Sequence, residues 1–567
     1  MGETQRRLFD DSLLIGIMAV LAACGLIYEY LLSHYAGRVL GTLESAIYAM
    51  IGLMIVSMGL GAFAARKVSH PYRGFVWLEL AIALVGASAV LVVAALIGFT
   101  QLLPTLVADT FALPPDIRPQ GGLFAVLQKA ASYGPYLAGT LLGFLVGMEI
   151  PLIARVREDV HQRHLQHNAG TIYGADYIGA GVGAALWVLV MLRLPISEAA
   201  AWTASLNLVA GLAFLWRFWS QMRRPALLLG LHLGLAGLVA AIGFRGPELN
   251  QQLSALLYQD KVVHQAQTPY QHLTFTERLS GNGNAEYRFY LNGRLQFSSL
   301  DEHIYHRMLV HPALLAARAP KSVLIIGGGD GLGLREVLRW DIEEVTLIDL
   351  DEQLLALFQQ PEQELPGRLG RAMARLNQGS LRDPRLTLMP GDAFIRIDEL
   401  AQAGRRFDAV IIDLPDPSHP DLNKLYSQQF YARLRNLLSG DGALVAQSTS
   451  PWFAQKAFIS VAKTLAAAGF ADVAQYHVNV PSFGEWGFSL AVPAGPGVKE
   501  RLARPLPFED DWLNRDILLA AFAWPSYFYR DQAEVQVNWL GSHVLYQYHQ
   551  QAWASEQGLS NPLSGSE

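Results

Sequence analysis

Seven long apolar stretches crowd the first 245 residues of this chain, and no other feature restricts its fold so strongly. They run roughly over residues 13–32, 47–65, 75–99, 133–154, 172–190, 199–215 and 226–244. Each is close to the ~20 residues with which an α-helix crosses a hydrocarbon core. A water-soluble domain has no means of hiding that many consecutive all-apolar helices, so spanning is the better reading. The first stretch is not a cleavable signal: it has the length of a full span, no small-residue cleavage site, and more spans behind it.

Four acids lie within or at the ends of these stretches: Glu29, Glu79, Glu149 and Asp176. A carboxylate in hydrocarbon is costly, so such residues turn toward the bundle interior, a partner or water. Glu29, Glu149 and Asp176 have aromatic or glycine neighbours that suggest close helix packing, and we expect them inside. Glu79 is balanced between the interior and a helix-end position at the interface. Arg6 and Arg7, then Arg66, Lys67 and Arg73, then Arg155, Arg157 and Arg163, then Arg217, Arg223 and Arg224 fall in alternate loops, which share the cytoplasmic side if the usual charge bias holds. Seven spans then put the second half of the chain on the opposite side; a re-entrant or further segment near 101–113 reverses that. The one cysteine, Cys24, sits in an apolar run and reads as a small buried hydrophobe.

Past Arg245 charges, turn dipeptides and short strand-like runs take over, and the chain divides on this reading into 1–245, 246–310, 311–498 and 499–567. LTFTERL, the turn GNGN at 281–284, EYRFYL, the turn Asn292-Gly293 and RLQF predict antiparallel hairpins, followed by a helix with Asp301, Glu302, Tyr305 and His306. From Lys321 buried strands alternate with helices: SVLII, EVTLIDLD, LTLMPGDA, FDAVIIDLPDP and GALVAQ. That alternation predicts a doubly wound, mostly parallel sheet of Rossmann-like type, so the whole chain reads as an all-α multi-pass membrane domain, a small antiparallel β-domain and an α/β domain.

Functional groups of such a sheet gather past the carboxyl ends of its strands. The rule selects the turn from Gly327 to Gly331 with Gly329 and Asp330, then Asp349, then Asp392-Ala393, then Asp413 to Pro417 with Asp416. A glycine turn admits a ligand to the backbone, and an acid about 20 residues on accepts from ribose hydroxyls. The turn has no phosphate-loop lysine, which argues for an uncharged or cationic adenosine derivative, and acids around it suit a polyamine. A net charge of −6 and the lack of a basic tract argue against nucleic acid as a partner.

The pieces YQHLTF, LNGRLQFSSLDEHIYHRML, VLIIGGGDGLGLREVL, LIDLDE, GDA, DLPDP with Pro420, and LYSQQFY resemble the spermidine synthases, or polyamine aminopropyltransferases, over residues 270–492, about two-fifths of the chain. The resemblance implies that Gln271, Asp349, Asp392, Ala393 and Pro420, with the turn glycines Gly327 and Gly329, meet the thioadenosine part of decarboxylated S-adenosylmethionine. It implies that Tyr305, His306, Asp330 and Asp416 hold the aminopropyl and polyamine nitrogens, and that Asp413 is the general base. An alkylammonium is not a nucleophile, so a carboxylate must orient the amine and take its proton. No permanently bound cofactor and no metal are expected, because the sulfonium of the co-substrate is already activated; a homo-oligomer is compatible with the pattern.

Asp349 stands where the family usually has Glu, and Phe483 falls near a tyrosine many members use beside the polyamine, which leaves the acceptor open between putrescine and a related amine. Lys424, near the amine pocket, reads as a solvated loop lysine. A methyltransferase is the nearest alternative enzyme, although Asp330 would repel a methionine carboxylate. The number of spans also admits a polyamine transporter or sensor with a non-catalytic ligand domain.

Overall fold

The computed structural model describes residues 3–40, 43–111, 122–161, 168–256, 258, 260–279, 285–418 and 420–556. The expected GNGN turn and Arg163 lie outside these residues. The chain forms two compact units, Met1–Gln259 and Asp260–Glu567.

The first unit is helical: α1 (Glu3–Leu40), α2 (Leu43–Ala65), α3 (Pro71–Thr110), α4 (Gly122–Ser132), α5 (Gly134–Val146), α6 (Glu149–His161), α7 (Asn168–Leu189), α8 (Ile196–Arg217) and α9 (Pro225–Ala255). Among the described residues seven stretches are long and apolar enough to cross a membrane, α4 to α6 together forming one. The boundary read at Arg245 falls inside α9, whose helical pattern continues through the polar residues up to Ala255. The glycine-rich run of α7 packs on α1: a Cβ on Gly179 would stand 2.0 Å from the carbonyl oxygen of Ala19, and one on Gly183 2.6 Å from that of Ala23.

One end of this unit is tied by charge. Arg157 of α6 donates to both carboxylate oxygens of Asp11 at 2.6 and 3.0 Å, Arg217 at the end of α8 pairs with Asp10, and the Tyr72 hydroxyl donates to Asp159 at 2.8 Å. Arg155 donates to the Val68 carbonyl at 2.7 Å, so the loops expected to share a side do meet at one end of the unit. The acids divide differently from expectation. Glu149 is buried, as expected, but its companion is Glu79, fully buried and accepting from Asn207 Nδ2 at 3.1 Å, while Glu29 and Asp176 are half-exposed.

The second unit opens with β1 (Lys261–Gln267), β2 (His272–Leu279), β3 (Ala285–Leu291) and β4 (Arg294–Ser298), an antiparallel sheet in chain order. Asn292 and Gly293, both at positive φ (49° and 79°), make the tight turn expected between β3 and β4. Helix α10 (Glu302–Ala316) follows as expected, with Asp301 at its N-cap. Then come β5 (Ser322–Gly327), α11 (Leu332–Val337), β6 (Glu344–Asp349), α12 (Glu352–Gln359), α13 (Pro361–Glu364), α14 (Gly367–Asn377), β7 (Leu386–Pro390), α15 (Ala393–Gln402), β8 (Phe407–Asp413), α16 (Gln428–Leu437), β9 (Leu438–Gln447), α17 (Gln455–Ala467), β10 (Asp472–Val480) and β11 (Gly484–Val492). The tail adds α18 (Val498–Arg501), α19 (Arg515–Ala520) and α20 (Val544–Glu556).

The large sheet has the order β10-β11-β9-β8-β5-β6-β7, parallel from β9 to β7 and antiparallel at β11 and β10. Period-2 alternation explains why it is covered twice. Val323, Ile325, Ala409 and Ile411 enter a core shared with the small sheet and α10, whereas Leu324, Ile326, Val410 and Ile412 enter one shared with α15, α16 and α17. β5 comes first in the chain yet lies between β8 and β6, so the chain reverses its direction of travel across the sheet there, and the crevice opens at the carboxyl ends of β5 and β8.

Candidate active site

Register brings the expected strand ends together. Gly327 is the partner of Asp413 across β5 and β8, and Asp349 that of Pro390 across β6 and β7. Gly327 is at φ 82°, and a Cβ there would stand 2.0 Å from the Asp413 carbonyl oxygen, so a side chain is excluded on both counts. A Cβ on Gly329 would stand 2.7 Å from Asp349 Oδ2, which instead accepts the Gly329 N–H at 3.0 Å.

Around Asp413 the groups are closely set. Oδ1 accepts the Tyr305 hydroxyl at 2.7 Å, and Oδ2 faces the turn, 3.1 Å from where a Cβ on Gly328 would be. Burial lifts the Asp413 carboxyl above its ordinary range, with His306 and the Tyr305 hydroxyl opposing. Burial likewise raises Asp330 to about 6, although the Leu332 N–H donates to its Oδ1 at 2.9 Å. For His306 burial favours the neutral ring, but the Glu302 carboxylate, accepting from Nδ1 at 2.8 Å, outweighs it and lifts the imidazole to about 9. Glu302 is held in turn by Arg335 through two bonds of 2.8 and 3.1 Å. A protonated His306 therefore lies in the field of Asp330 and Asp413, anchored from behind.

On the other flank Asp349 is raised to about 6 by burial, its Oδ1 accepting the Asp351 N–H at 2.9 Å. Gln271, expected beside the nucleoside, donates its amide to Asp351 Oδ2 at 2.9 Å and so reaches the end of β6. A cavity of about 250 Å³ lies here, lined among others by Tyr270, Asp351 and Gly391. A larger one of about 390 Å³ is lined by Arg307, Arg335 and Arg339 together with Glu302, Glu336 and Asp511. Asp392 caps α15 through the Phe394 N–H at 2.9 Å, with Ala393 as the first helical residue. Its Oδ2 receives Lys424 Nζ at 2.6 Å: the turn Pro420–Tyr426 carries this lysine, still 40% exposed as a loop lysine is expected to be, to the carboxylate. Pro420 begins that turn.

Asp416 is held more loosely, by Gln447 Nε2 on Oδ1 and His549 Nε2 on Oδ2, each at 3.4 Å. Gln447 was missed by the sequence reading. It ends β9 and donates to the Leu414 carbonyl and the Tyr426 hydroxyl, both at 2.7 Å, so the strand-end rule applied to one more strand would have found it. Asp351 was also missed; its signal is the helix N-cap it makes before α12. Phe483 does reach the site, its ring edge-on to Tyr305 at 5.9 Å.

Residues 302–496 match the Spermine/spermidine synthase domain. The chain is similar to a polyamine aminopropyltransferase of Shewanella oneidensis, 60% identical over 554 residues that cover 97% of this chain and 96% of that one. It is also similar to polyamine aminopropyltransferase 1 of Streptomyces coelicolor, 34% identical over 95% of this chain and 94% of that one. Among solved structures it is similar to a spermidine synthase in complex with the transition-state analogue AdoDATO, with 23% identity, a TM-score of 0.41, and coverage of 48% of this chain and 88% of that one. The chain belongs to the polyamine aminopropyltransferase family, and is an enzyme of that kind.

Proposed function

We propose that this enzyme transfers the aminopropyl group of decarboxylated S-adenosylmethionine to putrescine or a related diamine, releasing methylthioadenosine. The observation that carries the residue assignment is the setting of Asp413, with one oxygen taken by Tyr305 and the other turned to the glycine turn. In this reading Asp349, Asp392, Ala393, Gln271 and Pro420 receive the nucleoside, while Asp330, Asp416, Tyr305 and His306 orient the nitrogens. The amine loses a proton to Asp413 and its lone pair attacks the methylene beside sulfur; the carbon–sulfur electrons leave with methylthioadenosine. The buried Asp330 favours a co-substrate ending in an ammonium over one ending in a carboxylate, against the methyltransferase alternative.

The same proposal seats the helical unit in a lipid bilayer, as a multi-pass protein of the cell membrane. Its support is the outward face of the helices: Ile55, Val56, Leu60 and Phe63 on α2 and Phe244 on α9 are all more than half exposed. Purified enzyme in detergent is expected to release methylthioadenosine only with an amine acceptor present, and Asp413→Asn to slow it by about 10²-fold or more. Undiminished turnover in that variant would overturn the assignment.

A further inference from the structure

The matched domain ends at residue 496, yet the chain beyond it returns to the site. Asn538 is fully buried; its Nδ2 donates to the carbonyls of Asn423 at 3.0 Å and Tyr426 at 3.1 Å, and its carbonyl accepts the Gln428 N–H at 2.8 Å. One asparagine thus fastens the turn that follows Asp413 to Pro417. From there α20 carries His549, itself buried, to 3.4 Å from Asp416 Oδ2. A carboxylate only accepts, so the contact uses an Nε2–H. Arg294 of β4 lies in the field of both Asp416 and Tyr546 of α20.

The distances matter. Contacts of 3.4 Å on both oxygens of Asp416 are at the long limit of hydrogen bonding, against 2.7 Å between Tyr305 and Asp413. Such a carboxylate keeps most of its accepting capacity for an incoming ammonium, while its plane is set by the two groups behind it. An imidazole does this through a single N–H, without the fixed charge by which lysine or arginine would compete with the amine. We infer that His549 is a positioning residue for the amine acceptor: it holds Asp416 in the orientation that receives the acceptor's ammonium, so the tail supplies part of the acceptor subsite. The inference rests on the reading of Asp416 as an amine-binding residue.

Steady-state kinetics of the full chain in detergent test it, with putrescine and decarboxylated S-adenosylmethionine varied in turn for His549→Ala, His549→Gln and Asp416→Asn. His549→Ala is expected to raise the KM for putrescine about 10-fold or more, with the KM of the nucleoside changed less than about twofold. His549→Gln, which keeps an N–H donor, is expected to restore most of that loss, a rescue that a purely structural role would not produce. If Asp416→Asn raises the putrescine KM and His549→Ala does not, or if His549→Ala moves both KM values together, the role of His549 is overturned. If Asp416→Asn leaves the putrescine KM unchanged, the reading of Asp416 fails first.

Discussion

Tyr305 Oη and Asp413 Oδ1 lie 2.7 Å apart, joining α10 to the end of β8. The hydroxyl favours the ionised carboxylate, which is the form a base needs at the start of the reaction. Tyr305→Phe keeps the ring packing on Phe488 and Phe483 but strands Oδ1 in a buried site. We expect kcat to fall about 10-fold while the melting temperature moves little, the lost bond being worth about 1.5 kcal/mol. A kcat equal to wild type would remove Tyr305 from the reaction.

Asp330 and Asp349 titrate at about 6 because they are buried. Turnover should therefore decline as the pH drops below about 6, where these carboxylates take up protons. For stability the sign is opposite. Both folded values lie above the ordinary 3.8, so the native state binds protons that the unfolded chain has released. Their contribution is complete below the unfolded value and is lost as the pH rises through 6. Asp330→Asn is thus expected to raise the melting temperature at pH 7 while suppressing activity. Thermal melts at pH 5 and pH 7 check this, and a variant destabilised at both would contradict it.

Glu302 serves His306 and Arg335 together. Glu302→Ala takes the carboxylate from His306 and two bonds from Arg335, which keeps Glu336 at 2.8 Å, at a cost of about 3 kcal/mol. His306 is raised to about 9, so the stability it gains from Glu302 is complete below its unfolded value and is lost as the pH rises through 9. Denaturant titrations at pH 6.5 and 9.5 should show that loss in the wild type and little of it in Glu302→Gln.

Two glycines at positive φ should respond very differently to alanine. Gly404 is at φ 68° with nothing near the new methyl, so Gly404→Ala should cost about 1–2 kcal/mol of backbone strain. Gly327→Ala adds a collision with the Asp413 carbonyl and should abolish activity and lower the melting temperature by much more. Equal melting temperatures in the two variants would refute the role given to the close approach.

Membrane seating makes a simple prediction. The full chain should stay in the membrane pellet through an alkaline carbonate wash and be released by detergent. Release by carbonate would show that the exposed faces of α2 and α9 meet protein instead of lipid.

The strand ends were legible because a parallel sheet buried on both faces leaves only its carboxyl edge for polar work: Asp330, Asp349, Asp392 and Asp413 stand out against the apolar runs of β5 to β8. Other positions carried no such contrast. β1 is absent from the hairpins expected from the sequence, since four of the seven residues of KVVHQAQ are polar, and its pairing partner β2 is what makes it a strand. The order of Glu29 and Glu79 in depth is the reverse of the one their neighbours suggest, because a helix apolar on every side has no polar face to show which way it is turned. Gln447 and His549 became meaningful only through residues 21 and 133 positions away.

The fastening of the Pro420–Tyr426 turn by Asn538 has a consequence for the order in which this protein comes into being. The helices of the first unit emerge from the ribosome before the sheet, but the two carbonyls bound by Asn538 wait for a residue well past the last strand. A nascent chain long enough to carry every strand of the sheet still lacks that clasp. Premature stops placed between the end of β11 and Asn538 are then not mild trims: they leave a complete sheet whose acidic loop has never been closed.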